Sequence, residues 1–213
     1  MLASTGAITV ICIIAFGLWI AGGFLGGWFD PIFEDWLIER VKDLHKGQEY
    51  DGKPYIFHLE NVLRNVETYW DFYGDDPDLR KALKMAALFH DTLEDSVGYT
   101  YHDLEKDVKT IFPDDEFYTK FVCEIVYACT AEKGRNRAER EGKKYYDEIK
   151  ETGYAPFIKA CDRLANIEYS EKHGSRMLDV YKKEMPEFIS GIENPDNPIP
   201  PSLKEKLCHY LQD

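Results

Sequence analysis

The chain is poor in cysteine, in clustered cations and in strand-like alternation. Its five cysteines, at 12, 123, 129, 161 and 208, form no Cys-x-x-Cys pair; an odd, scattered set argues against a zinc ribbon or a disulfide framework and fits a reducing compartment. Lys and Arg total 26 against 39 Asp and Glu, a net charge of −13. General nucleic-acid binding is excluded on that balance, because a phosphate backbone demands clustered positive charge. No internal repeat is present, and 213 residues provide one globular core but no room for a second catalytic domain. No Lys or Arg precedes Arg40.

That last absence coincides with an uncharged run from Ala7 to Trp28, 22 residues long. At about 1.5 Å per helical residue such a run crosses roughly 30 Å of hydrocarbon, and the sequence predicts a single transmembrane helix. A buried helix of a soluble domain would have to be apolar all round, and a cleavable signal peptide would normally carry Lys or Arg before the apolar run. Trp19 and Trp28 suit the interfaces, and Gly22 with Gly26 and Gly23 with Gly27 give small-xxx-small spacings suited to a homodimer through the span. Arg40, Lys42 and Lys46 follow the run, which places the remaining chain on the cytoplasmic side.

Helical periodicity dominates the rest. Helices are predicted near 33–46, 54–71, 77–95, from Thr100, 115–130, around Asp162, near 174–190 and after Pro201, with a Gly-rich turn at 47–53. Four prolines between Asn194 and Pro201 read as a rigid connector. The expected organisation is a membrane anchor at 1–29, a catalytic domain at 30–193, and a connector with a terminal helix at 194–213.

Three stretches carry chemistry: Pro54 to His58, His90-Asp91-Thr92-Leu93-Glu94-Asp95, and Lys159 to Asn166. Two imidazoles and several carboxylates, in the order His, His-Asp, Asp, form a mixed nitrogen and oxygen set that suits manganese, iron, zinc or cobalt better than calcium or magnesium. Leu79, Leu83, Ala86 and His90 share one helical face, and Asp162 with Asn166 is an i, i+4 pair able to face the same cavity. His102-Asp103 is set aside: Thr100 reads as an N-cap with Asp103 as its partner three residues on.

Those stretches resemble the HD superfamily of metal-dependent phosphohydrolases, and most closely the hydrolase domain of RelA/SpoT-type alarmone enzymes and the small alarmone hydrolases. The matching text is His45-Lys46-Gly47-Gln48, Gly52 to His58, Ala86 to Ser96 and Lys159 to Asn166. The resemblance implies an all-α HD-domain bundle with His58, His90, Asp91 and Asp162 as metal ligands. It also implies a manganese cofactor, Glu94 and Asp95 handling the nucleophile, and Asn166 touching the nucleotide. The implied reaction is hydrolysis of the 3'-pyrophosphate of guanosine tetraphosphate or pentaphosphate.

One departure is visible. Where many alarmone hydrolases carry a basic pair, this chain has Glu49-Tyr50; Tyr50 either stacks on a base or serves as a partly buried anchor. A basic island at Lys133, Arg135, Arg137, Arg140, Lys143 and Lys144 offers phosphate contacts, best from Arg137 and Arg140, although interleaved Glu139 and Glu141 equally describe a solvated helix face. The expected partner is a small anionic nucleotide. The alternatives are an HD-type 5'-nucleotidase or nucleoside polyphosphate hydrolase, and a non-catalytic membrane nucleotide sensor.

Overall fold

A computed structural model describes residues 31–131 and 143–210. The predicted membrane span at 7–28, with Cys12 and its glycine pairs, lies outside the described residues, as do Lys133, Arg135, Arg137 and Arg140. Among the described residues no helix is long and apolar enough to cross a membrane. The chain divides into two units, residues 1–36 and 37–213, and of the first only the opening of helix α1 (Pro31–Leu44) is described.

The second unit continues from α1 into a hairpin of β1 (Glu49–Tyr50) and β2 (Lys53–Pro54), then α2 (Ile56–Tyr69), a 3-10 turn over Trp70–Tyr73 and α3 (Pro77–Phe89). There follow α4 (Thr92–Asp95), α5 (Tyr101–Ile111), α6 (Glu116–Cys129), α7 (Lys143–Glu151), α8 (Ala155–His173), α9 (Met177–Ile192) and α10 (Pro201–His209). The all-helical architecture matches the expected fold class for this part of the chain. The segment read as a Gly-rich turn is instead a tight hairpin pairing Glu49 with Pro54 and Tyr50 with Lys53. Asp51 and Gly52 have φ of 50° and 77°, the positive values that a two-residue hairpin turn requires.

Helix α8 is the axis of the bundle, packing against α2, α3, α6, α7, α9 and α10. A helix surrounded in this way must be apolar nearly all round, and Phe157, Ile158, Cys161, Leu164 and Ile167 are all fully buried on it. The Asn65 amide of α2 donates to the Cys161 carbonyl at 3.0 Å, so the central pair is also tied by a polar bond within the core. At its end Gly174 adopts φ 63°, the left-handed cap that closes a helix without strain on a β-carbon.

The helix expected over 77–95 breaks at His90-Asp91. Its start follows the sequence, with the Asp76 carboxylate accepting from the backbone N–H of Asp78 and Leu79 and Pro77 at the first position. Its end is forced by side chains: Thr92 Oγ1 donates to the Phe89 carbonyl at 2.7 Å, and His90 Nδ1 lies 2.8 Å from the Ala87 carbonyl. These groups occupy carbonyls that the next turn would otherwise use. Farther on, Thr100 and Asp103 form a reciprocal capping box, so His102-Asp103 is a helix start as expected, with the His102 side chain 72% exposed.

The Pro-rich segment after α9 is pinned to the bundle. Asn197 accepts from the Tyr154 backbone N–H and donates to the Thr152 carbonyl, and Leu203 and Leu207 of α10 are fully buried. One position near this junction makes the packing testable. A β-carbon on Gly191 would lie 2.8 Å from Tyr146 Cγ and 3.1 Å from its Cβ, atoms too near the backbone to swing aside. Gly to Ala inside a helix ordinarily stabilises by about 1 kcal/mol; overpacking here reverses the sign. Gly191→Ala is expected to destabilise by about 1–3 kcal/mol in urea unfolding, and a stabilised variant would refute this close approach.

Candidate metal centre

Three helices and the break after α3 converge on one point. Nε2 of His58 on α2, Nε2 of His90 at the end of α3 and a carboxylate oxygen of Asp162 on α8 all lie within 4.8 Å of one another, and all three residues are buried. Asp162 Oδ1 is 3.2 Å from His58 Nε2 and 3.8 Å from His90 Nε2. Ligands held roughly 2.1 Å from a common ion stand a little over 3 Å apart, so the spacing suits a shared cation.

Protonation logic supports the same fit. His90 Nδ1 faces the Ala87 carbonyl, which only accepts, so Nδ1 carries the hydrogen and Nε2 presents its lone pair. Asp91 Oδ2 lies 2.9 Å from that Nε2, yet off the direction of a ring N–H, and Nε2 is buried with no hydrogen-bond partner. A buried, unpartnered nitrogen with carboxylate oxygens of Asp91 and Asp162 at 2.9 and 3.8 Å is an environment that favours a proton or a metal cation. Burial pushes the His90 imidazole down, but Asp91 and Asp162 more than reverse this and raise it to about 10. A divalent cation meets the same demand with more charge.

Asp91 stands beside this group rather than within it. Its Oδ2 is also 3.7 Å from His58 Nε2 and accepts a 2.7 Å hydrogen bond from the Tyr55 hydroxyl. The oxygens of Asp162 divide their work: Oδ1 accepts from Asn166 Nδ2 at 2.6 Å and faces the imidazoles, while Oδ2 lies 2.8 Å from Lys159 Nζ. Burial would raise the Asp162 carboxyl, but Lys159 and then the two imidazoles hold it well below the usual range. Burial likewise opposes the charge on Lys159, and Asp162 raises that group well above its ordinary value.

Around this point lies a cavity of about 200 Å³ lined in part by Tyr50, Tyr55, Glu94, Asp95, Lys159 and Asn166. Glu94 sits at its solvent edge, its Oε2 accepting from the Ala131 backbone N–H at 3.1 Å. Partial burial, with Asp91 and Asp95 nearby, raises the Glu94 carboxyl; burial and then Asp91 do the same to Asp95. Both changes make the carboxylate a better proton acceptor than a free Asp or Glu side chain.

Tyr50 and Asn166 are engaged within the protein. The Tyr50 ring stacks on His58 at 4.8 Å and its hydroxyl donates to Asn166 Oδ1 at 2.7 Å. The structure therefore brings His58, Asp91, Asp162, Glu94, Asp95, Tyr50 and Asn166 to one cavity, with His90 fully buried against Asp91 and Asp162 behind its wall; Arg137 and Arg140 lie outside the described residues. Reading the sequence for ligands overlooked Tyr55 and Lys159, although each precedes a ligand by three residues and so shares its face of the helix. It also gave the His45-Lys46-Gly47-Gln48 stretch no structural role. His45 stacks on Tyr55 at 4.6 Å, its Nδ1 lies 2.7 Å from Gln48 Oε1, and Gln48 Nε2 donates to the Asp95 carbonyl at 2.6 Å. The motif braces α4, and with it the Glu94-Asp95 pair.

Comparison with known proteins agrees at the level of the fold. A solved structure described as a metazoan orthologue of SpoT that hydrolyses ppGpp and plays a role in starvation responses aligns with a TM-score of 0.61. The match covers 87% of this chain and 96% of that one, at 21% sequence identity. No family model and no curated protein sequence matches. The chain thus has the fold of a ppGpp hydrolase, carrying a buried His, His, Asp group.

Manganese titration of the full chain by calorimetry tests the centre. His90→Ala and Asp162→Ala are expected to abolish binding, and Tyr55→Phe to weaken it by about 10-fold through the lost bond to Asp91. Wild-type affinity in both ligand variants would refute the assignment.

Proposed function

We propose that the protein is a divalent-metal-dependent HD-type phosphohydrolase that removes the 3'-pyrophosphate of guanosine tetraphosphate, guanosine pentaphosphate or a closely related nucleotide. The convergence of His58, His90 and Asp162, with Asp91 beside them, carries the reading; the shared fold of a metazoan ppGpp hydrolase supports the substrate class. His58, His90, Asp91 and Asp162 are the proposed ligands, and manganese the proposed ion. Held by these four residues, such an ion would supply Lewis-acid chemistry, lowering the pKa of water toward neutrality and offsetting phosphoryl charge.

The protein's own groups then divide the work. Glu94, at the solvent edge and with its carboxyl raised by partial burial and by Asp91 and Asp95, accepts the proton of the attacking water. Asp95 is held through its backbone carbonyl by Gln48, which keeps the pair in place. Tyr55 keeps Asp91 oriented, and its buried hydroxyl, pushed far up by burial and by Asp91, stays protonated as a donor. Water oxygen bonds to the phosphorus that carries the 3'-oxygen, the 3'-O–P bond breaks, and the proton taken by Glu94 is returned to the 3'-oxygen, leaving a 3'-hydroxyl and pyrophosphate.

A second reading, a 5'-nucleotidase or nucleoside polyphosphate hydrolase, is favoured by the hairpin. Its Tyr50 covers His58 and occupies Asn166, the residue that the family resemblance assigns to the nucleotide, and its neighbours Glu49 and Asp51 are acidic and exposed. The non-catalytic sensor draws no support from the site, where the proposed ligands and the carboxylate pair are all present.

With manganese, the full chain is expected to release pyrophosphate from guanosine tetraphosphate, followed by anion-exchange chromatography. Glu94→Gln is expected to keep metal affinity within about 3-fold of wild type while lowering kcat by about 10²–10⁴-fold. Liberation of 5'-phosphate groups in place of pyrophosphate would transfer the protein to the second reading.

A further inference from the structure

Lys159 belongs to neither the proposed ligand set nor the proton-transfer pair, yet it is built into the wall that both share. On α8, Lys159, Asp162, Arg163 and Asn166 fall at i, i+3, i+4 and i+7, one face of the helix, and all four line the cavity. Arg163 is committed elsewhere: its Nη1 lies 3.0 Å from Glu184, and its guanidinium is sandwiched 4.9 Å from the Tyr181 ring and 4.6 Å from the Phe188 ring. The Lys159 side chain is only 14% exposed, with Nζ 2.8 Å from Asp162 Oδ2 and 5.9 Å from the Tyr145 ring centroid.

Charge makes the placement informative. Four carboxylates line the cavity, Asp91, Glu94, Asp95 and Asp162, and the proposed substrate is itself an anion. A divalent ion offsets Asp91 and Asp162, which leaves Glu94 and Asp95 to repel a phosphoryl group. A compact ammonium one carboxylate's width from the ligand cluster counters that repulsion where phosphoryl charge must sit. Lysine has three donors, so Nζ can keep its 2.8 Å contact with Asp162 Oδ2 and still offer a donor to the cavity that Lys159 lines.

We propose that Lys159 is a catalytic residue that contacts an anionic phosphoryl oxygen of the substrate, beyond serving as the counter-ion of Asp162. The proposal rests on the phosphohydrolase reading, and its test therefore has a readout independent of turnover. In the full chain, inorganic phosphate and pyrophosphate are titrated calorimetrically into wild type, Lys159→Met and Lys159→Arg at saturating manganese, with circular dichroism checking the fold. Lys159→Met is expected to weaken anion binding by at least roughly 10-fold, the scale of one lost charged hydrogen bond. Lys159→Arg keeps the positive charge and is expected to restore part of the binding. In turnover of guanosine tetraphosphate, Lys159→Met should lose about 10²–10³-fold in kcat.

Anion affinity unchanged in both manganese-saturated variants would overturn the proposal and leave Lys159 a positioning residue for Asp162. In that case manganese affinity alone would fall. Should wild type bind manganese and phosphate but cleave no nucleotide, the phosphohydrolase reading fails while the anion titration still decides the role of Lys159. A wild type that binds neither overturns both.

Discussion

A buried carboxylate organises this molecule. Asp162 sits on the helix around which the bundle is assembled, and an isolated charge at such a place is expensive enough that it would normally neutralise. It stays ionised because each oxygen has its own partners: Lys159 on Oδ2, and the Asn166 amide with two imidazoles around Oδ1. Those partners come from α2, α3 and α8, so the packing that buries Asp162 is also what aims the imidazoles. The core and the candidate metal centre are consequently built from the same helices. The Asn65 bond to the Cys161 carbonyl, about two turns along α2 from His58, ties α2 to α8, the two helices that carry His58 and Asp162.

The second organising element is the small hairpin. It donates no proposed ligand, yet through Tyr50 and the following Tyr55 it touches both proposed carboxylate ligands, Asp91 directly and Asp162 by way of Asn166. Its turn, with positive φ at Asp51 and Gly52, is anchored by the Tyr169 hydroxyl donating to Asp51 at 2.8 Å and by Lys53 lying 4.0 Å over Phe57. The aromatic rings over His58 thus form a wall held at its tip and at its base.

Much of this was legible in the sequence, for identifiable reasons. The order His, His-Asp, Asp carried the centre because metal chemistry restricts residue types severely, and apolar periodicity carried the helices that bear them. Thr100 with Asp103 announced a helix start because capping is a local interaction. The break at His90-Asp91 was less legible, since Thr92 and His90 end the helix through side-chain bonds to carbonyls rather than through Gly or Pro. The hairpin was read as a turn because its strands are two residues each, too short for alternation to show. Tyr55 and Lys159 were overlooked for a different reason: their roles depend on a carboxylate contributed or aligned by the fold, and only the spacing of three residues hinted at it.

The separation of ligands from hairpin has a consequence for specificity. His58, His90 and Asp162 are fixed by three core helices, so changing them disturbs both charge balance and packing. Glu49 and Asp51 on the hairpin are exposed, and substitution there alters what the cavity mouth presents, whereas Tyr50 is half-buried, stacks on His58 and bonds Asn166. An aromatic and acidic mouth above the buried His58, His90 and Asp162 cluster suits the proposed substrate entering phosphate-first, with its uncharged heterocycle against the tyrosines. On the proposed reading, hydrolytic chemistry belongs to the bundle, which holds the His58, His90 and Asp162 cluster, and the choice of nucleotide belongs to the hairpin that carries Tyr50.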